Sequence, residues 1–562
     1  MRRRLLAVAA VSAAALLLPA LASAHAYLVK TFPAASQEVD TPPAQLRLVY
    51  DEAVEPKFAV ISVTDAAAHQ EVNGTVHRSA ANPNELDVPL KRVPEGWYLV
   101  FWRAISVDGH PVRGVFVFEV GPNAGPEPQF VVPNLSETAT TPGLLTFRWL
   151  TFLTMFAAIG LFVLRTLIAR PLTKHLRKVS IACFASLALA LVVTPIYVLV
   201  ATAQFAIRSV WSIGTLVPLM RVSAFGRGYL DLELLLALFA VAAAVAIWLD
   251  RPERGRRSVA ALLALWGALL AAGATVLVPG AAGHAAQQAP RWLALSFDWL
   301  HLAAGSVWLG GLIGLIVLWQ SLPAGERVSG LSVVVPRFSK TAFVSVTTLL
   351  GAGIGASVLH LPTLAALWQT GYGKTIIIKA SLLGCAMLVA SVNLLRTTPA
   401  LRAQRDASSL LRRLVSVEVL LVTGTLFAAA VLSSLPPPPK ALASLGKPNA
   451  HGGPGPVASV VEQAGYRLEL HVSPNRAAAM NDFAVRITRG GKPLHDATVI
   501  ASFAMLDMEM PTQAYRLTER SPGLYEHSAP ALVMVGHWGL TFDVEPPGKQ
   551  PFSVVLVDRA NG

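Results

Sequence analysis

The chain has 562 residues, 54% of them hydrophobic and only 14% charged, with a net charge of +13. This composition excludes an ordinary soluble globular protein and indicates a membrane class. The basic residues sit mostly in short loops between apolar runs, which favours membrane topology over nucleic-acid binding, and the two cysteines, Cys183 and Cys385, support neither a disulfide framework nor a Cys-type zinc site.

Arg2, Arg3 and Arg4 precede an apolar run from Leu5 to Leu21, and Ala22-Ser23-Ala24 has the small residues of a signal-peptidase site. Residues 1–24 therefore read as a secretory signal. Cleavage after Ala24 leaves His25 at the mature N-terminus, where its free α-amine and imidazole offer a metal two nitrogens. The plain alternative is that any residue can follow such a site.

Residues 25–122 alternate in short runs, "AQLRLVY", "FAVISV", "GWYLVFW" and "GVFVFEV", separated by Pro, Asn, Asp and Gly. The spacing predicts a small β-sandwich, followed by a linker over 123–143. Between the last two runs lies "SVDGHPVRG", in which Asp108 and His110 are two apart and share one face of a strand. With His25 they form a nitrogen-rich set suited to Cu(II) in tetragonal geometry. Equally, Asp-Gly is a turn and His110 a surface residue.

From 144 to 435 long apolar runs predict eight membrane helices, near 144–169, 179–202, 229–249, 258–279, 293–319, 338–360, 374–395 and 411–433. The stretch 207–220 reads as a short re-entrant or surface helix. Loops after the first, third, fifth and seventh spans hold most of the Lys and Arg, among them Arg170, Lys174, Arg254, Arg257, Arg337 and Arg405. The positive-inside rule puts those loops in the cytoplasm and both chain ends outside it, in a bacterial inner membrane.

In "DWLHLAAGSVWLGGLIGL" (298–315), His301, Gly305 and Trp308 share one side of a helix, and Gly305, Gly310 and Gly311 allow close helix approach. A histidine inside a span is a functional candidate by default. His284 and His360 are expected at the outer ends of neighbouring spans, where with His301 they form a candidate metal entry site; singly, each also reads as an interfacial loop residue. Glu418, near the cytoplasmic start of the last span, reads as a relay or exit group, or as a hydrogen-bond partner between helices.

A Pro/Gly-rich linker over 436–457 leads to a second extracytoplasmic β-domain over 458–562. Five of the nine methionines fall in 480–534. Thioethers select Cu(I), so Met505, Met508, Met510 and Met534 with His527 and His537 form a candidate Cu(I) site. Methionines on one face of a strand also fill sandwich cores.

"HAYLVKTFPA", "LRLVYDEAVEP" and "WRAISVDGHPVRGVFVFEV" together resemble the CopC family of periplasmic copper-binding proteins, over nearly all of 25–120. The resemblance implies Cu(II) binding by His25, Asp108 and His110, with Glu52 assisting. This domain has no methionine, so no Met-rich Cu(I) site is expected in it. The 298–315 segment and "LVSVEVLLVTGTLFAAAVLSSLPPP" resemble the CopD family, over roughly 144–439, which implies copper uptake or resistance. The C-terminal segment is similar to YtkA-like domains.

The overall expectation is a mixed architecture: a β-sandwich, a helical membrane bundle and a second β-sandwich. The function expected is copper import rather than catalysis, with copper ions, the lipid bilayer and periplasmic chaperones or a reductase as partners. Nucleic acid and nucleotides are not expected, and no G-x-x-x-x-G-K-[ST] loop is present. Two other copper readings fit the same residues. One is a sensor or accessory protein without transport, which unchanged cellular copper on gene deletion would favour. The other is a copper oxygenase of the lytic polysaccharide monooxygenase type, which peroxide-dependent turnover would favour. A haem-bearing electron carrier is a further reading, and a Soret band would mark it.

Overall fold

The computed structural model describes residues 28–561, except 35–36, 51–53, 106–110, 207, 223, 251–255, 283–284, 286–289, 362, 436–444, 446, 478, 507–511, 530, 534–535 and most of 124–140. The segment 1–24 is outside the described residues. The described residues form one helical and one β unit.

In the N-terminal domain, the alternation of "QLRLVY" becomes strand β3 (Gln45–Tyr50), with Leu46, Leu48 and Tyr50 buried. It lies in a sheet ordered β1 (Leu28–Phe32), β3, β6 (Glu85–Pro89), β5 (His77–Arg78). The second sheet is ordered β2 (Glu38–Val39), β8 (Pro111–Val120), β7 (Gly96–Ile105), β4 (Val60–Thr64). Tyr50 meets Trp102 edge-on at 5.7 Å, with Val63, Tyr98, Phe116 and Phe118 in the same core. A Cβ at Gly114 would lie 2.7 Å from the Trp102 ring, so the "RGVFVF" glycine makes room for the tryptophan. β7 and β8 pair from Gly96↔Val120 to Ile105↔Pro111.

The C-terminal domain begins with β9 (Ala450–His451). Its main ladder runs β10 (Val457–Gln463), β11 (Tyr466–Ser473), β12 (Asn481–Arg489), β16 (Leu524–Ala529), β15 (Gln513–Ser521), β14 (Thr498–Met505), β17 (Gly536–Glu545), β18 (Phe552–Ala560), β9. The strand β13 (Lys492–Pro493) pairs with β12. Inward residues from both halves, including Leu468, Val485, Phe503 and Phe542, share one core. Within the β unit, the Val115 amide donates to the Val533 carbonyl over 3.0 Å, joining the two domains.

Among the described residues, eight helices are long and apolar enough to cross a membrane. They are α1 (Pro142–Val163), α2 (Arg177–Phe205), α3 (Ala224–Leu249), α4 (Val259–Ala281), α5 (Arg291–Ser321), α6 (Arg327–His360), α7 (Gly371–Val392) and α8 (Ser408–Leu432). A ten-residue helix, Ile213–Val222, precedes α3. Thr141 caps α1 by accepting from the Leu144 amide, and Ser258 and Thr370 cap α4 and α7 in the same way. α1 and α7 each continue into a π-helical turn, Leu164–Ile168 and Asn393–Thr397.

The most apolar window of α1 is 83% buried and that of α5 61%, against 11% for the segment containing α7, so α1 and α5 form the centre of the bundle. They meet at glycines. A Cβ at Gly310 would lie 2.5 Å from the Phe156 carbonyl oxygen and 2.6 Å from the Gly160 Cα. This is the close approach expected of small residues in lipid, where packing replaces the hydrophobic effect between helices.

Candidate functional site

Two of the three polar groups of this site lie one turn apart on α5. Asp298 and His301 are at i and i+3, so they share a face near the start of α5. A Cβ at Gly280 of α4 would collide with the Asp298 carboxylate, and one at Gly353 of α6 would lie 3.2 Å from the His301 ring. Each polar side chain is thus set in a notch left by a glycine. Phe297 fills a third notch, at Gly355.

The third group comes from α7. Lys379 Nζ lies 3.3 Å from His301 Nε2, while His301 Nδ1 lies 3.1 Å from the Leu349 carbonyl oxygen. A carbonyl only accepts, so Nδ1 carries the imidazole proton. Nε2 then holds the lone pair, and it accepts from Lys379. Asp298 places a carboxyl one turn from His301 on the same face of α5. The three side chains are half-buried. An imidazole and an amine in contact, with a carboxyl one turn away, gather inside the helical unit, at the end where α5 and α7 begin and α6 ends.

His360 lies seven residues beyond Gly353 on the same face of α6, about 10 Å further toward that end of the bundle at 1.5 Å per residue. Its Nδ1 donates to its own helix at Ala356 over 2.8 Å. The structure therefore puts His301 and His360 on one side of α6 but not in contact. His284 is outside the described residues.

Glu418 is 2% exposed and accepts from the Asn393 amide at the π turn after α7. Thr397 donates to the Asn393 side-chain oxygen over 3.1 Å. Of its two expected roles, the structure displays the hydrogen bond between helices.

Sequence reasoning overlooked Lys379, Asp298 and two further polar clusters. Arg148 of α1 is buried; it donates to the Tyr197 hydroxyl over 3.0 Å and to Ser433 over 3.1 Å, tying α1 to α2 and to the end of α8. At the opposite end of the bundle, Asp250 pairs with Arg170 at 3.1 Å, Arg257 at 3.2 Å and Arg165 at 3.8 Å. The available signal was the same for all: an ionisable residue within or bordering an apolar run.

The N-terminal candidates His25, Glu52, Asp108 and His110 lie outside the described residues, as do Met508, Met510 and Met534. Met505 is 2% exposed, in the sandwich core, opposite Trp538. His537 precedes Trp538 and points to the other face, because strand neighbours alternate. His527 stacks on Tyr515 at 5.0 Å. Met505 and His537 are therefore on opposite faces of their sheet and do not share a site. Among the described residues no three His, Cys, Asp or Glu side chains group around a common point.

Comparison with known families matches the CopC domain at residues 28–121, copper resistance protein D at 332–432 and the YtkA-like family at 461–543. The chain is 26% identical over 547 residues to the copper transport protein CutJ of Bacillus subtilis (strain 168), covering 94% of this chain and 95% of that protein. It is 33% identical over 98 residues to protein YobA of Escherichia coli (strain K12), covering 17% of this chain and 79% of YobA. It is also 32% identical over 114 residues to copper resistance protein C of Pseudomonas syringae pv. tomato, covering 19% of this chain and 90% of that protein.

Proposed function

Since the chain belongs to the copper transport and resistance family, with CopC, CopD and YtkA-like domains in that order, we propose that it captures Cu(II) outside the cytoplasm and passes copper through its helical bundle for import across the inner membrane. His25, Asp108 and His110 hold the captured ion, with Glu52 at its side. Copper then enters the bundle past His284 and His360 and reaches His301. Cu(I) is the form that crosses, after reduction by a separate reductase or delivery by a periplasmic chaperone. The C-terminal domain contributes soft donors from Met508, Met510 and Met534.

The observation that carries this reading is the His301 cluster. A histidine within a span, in contact with a lysine amine and seated in the notch left by Gly353, is costly to bury. The orientation draws on charge. Arg165, Arg170 and Arg257 gather around Asp250 at the end opposite His301, which supports a cytoplasmic position for that end. Both β-domains are then outside.

Copper content of cells lacking the gene, complemented with wild-type or His301→Ala protein, tests the reading. Restoration by wild type and at least a roughly fivefold smaller gain with the variant are expected. Unchanged copper on deletion would sink import and leave the sensor or accessory role. For capture, the full-length protein is titrated with Cu(II). One extra residue before His25, or His110→Ala, should each abolish tight binding.

A further inference from the structure

Lys379 has no place in the copper pathway as described, yet it occupies the lone pair that a metal on His301 would need. From the Asp298–His301–Lys379 geometry we infer that Lys379 is a charge filter, which makes the intramembrane site selective for monovalent over divalent metal ions. This rests on the reading of His301 as part of the pathway.

The inference follows from charge addition. His301 is neutral, with its proton fixed on Nδ1 by the Leu349 carbonyl. In the proposed filter the Asp298 carboxylate, on the same face of α5 as His301, balances the Lys379 ammonium. The empty site therefore sums to zero. For metal to reach Nε2, the ammonium must move off its 3.3 Å contact, and in the proposed filter the Asp298 carboxylate, one turn from His301 on α5, is the partner it moves toward. The ammonium thus remains in the site with the metal. A monovalent ion leaves a net charge of one, a divalent ion a net charge of two. The cost of a net charge in an apolar medium grows with its square, so the divalent ion meets about four times the penalty. Without Lys379, the Asp298 carboxylate alone would offset one charge, and the divalent ion would be left with a net charge of only one.

The glycine notches bring both groups close to neighbouring helices: a Cβ at Gly280 would collide with the Asp298 carboxylate, and one at Gly353 would lie 3.2 Å from the His301 ring. Two redox-inert probes separate charge from copper chemistry: Ag(I) for the monovalent class and Zn(II) for the divalent class.

Full-length protein in liposomes is offered each ion, and luminal metal is counted by mass spectrometry. Wild type should accumulate Ag(I) and exclude Zn(II). Lys379→Met should raise the Zn(II)/Ag(I) ratio by about tenfold or more. Lys379→Arg keeps the charge and should keep the wild-type ratio. The double variant Asp298→Asn with Lys379→Met restores a neutral site and should bring the ratio back to within about threefold of wild type. A Lys379→Met ratio within that range of wild type overturns the filter, as does a double variant that stays permissive. If Lys379→Met does not fold, Lys379→Gln takes its place with the same expectation. Failure of the pathway reading looks different: His301→Ala would then accumulate Ag(I) like wild type, whatever Lys379 does.

Discussion

The backbone amide of Val115 donates to the carbonyl oxygen of Val533 across 3.0 Å, so a strand of the N-terminal domain is completed by the C-terminal one. Val115 pairs with Phe101 in the β7–β8 ladder, and this bond uses the edge of β8 that faces away from β7. The Val115 side chain, 3% exposed, lies in a second apolar cluster with Leu99, Phe101 and Val117. An amide held in this way exchanges slowly with solvent. In the full-length protein the Val115 amide should exchange at least about tenfold more slowly than in a chain ending before residue 457. Equal rates in the two proteins would show that the domains do not rely on this bond.

Gly310 predicts a packing penalty. A Cβ there meets the Phe156 carbonyl at 2.5 Å, and both atoms belong to helix backbones that cannot yield independently. Gly310→Ala should destabilise the detergent-solubilised protein by roughly 1–3 kcal/mol, seen as a lower thermal midpoint. Gly384, on α7, has nothing within 4 Å of its Cβ position. Gly384→Ala should be neutral, or stabilise by up to about 1 kcal/mol through helix propensity.

Asp250 holds three arginines from three chain segments with a side chain only 3% exposed. Asp250→Asn removes the shared counter-charge and leaves the guanidinium groups crowded together. A loss of roughly 3–5 kcal/mol is expected, read from thermal unfolding. A second substitution, Arg257→Gln, should recover part of it. No recovery would mean that Asp250 acts through its hydrogen-bond geometry rather than its charge.

Glu519 predicts a pH dependence in the C-terminal domain. Its carboxylate accepts from the Gly523 amide at 2.9 Å, from the Asp496 amide at 3.0 Å and from His495 at 3.2 Å. These contacts, the Gly523 amide first, hold its carboxyl below the usual range. A lowered folded value stabilises the fold above the unfolded value, near pH 4.3, and that stability is lost as pH falls through the folded value. The Asp496 and Gly523 amides should therefore lose exchange protection on acidification below about pH 4. Glu519→Gln should lack this transition and be less stable at neutral pH by roughly 1–2 kcal/mol. An unchanged acid transition in Glu519→Gln would assign it to another group.

Much of the architecture was readable without coordinates, because the signals are local. Eight apolar runs match eight helices, since an apolar run of span length must satisfy its own backbone in lipid. Boundaries were less exact. The sixth helix was expected from 338, but α6 starts at Arg327, with Pro336 inside it, because a helix continues wherever its hydrogen bonds do and hydropathy marks only its apolar part. The sequence places His301 within an apolar run, and the structure places it in α5, but its surroundings are not legible in the sequence.

By itself, the sequence determined the class of protein, the order of its domains, the number of apolar helices and the alternating faces of its strands. Each of these depends on neighbours within about 20 residues, the reach of hydropathy and side-chain period. The tertiary structure alone decided which buried polar groups meet. Lys379 reaches His301 across 78 positions and Arg148 reaches the end of α8 across more than 280. Those pairings come from helix packing through glycines such as Gly160, Gly310 and Gly353, and no local pattern encodes which helix lies beside which.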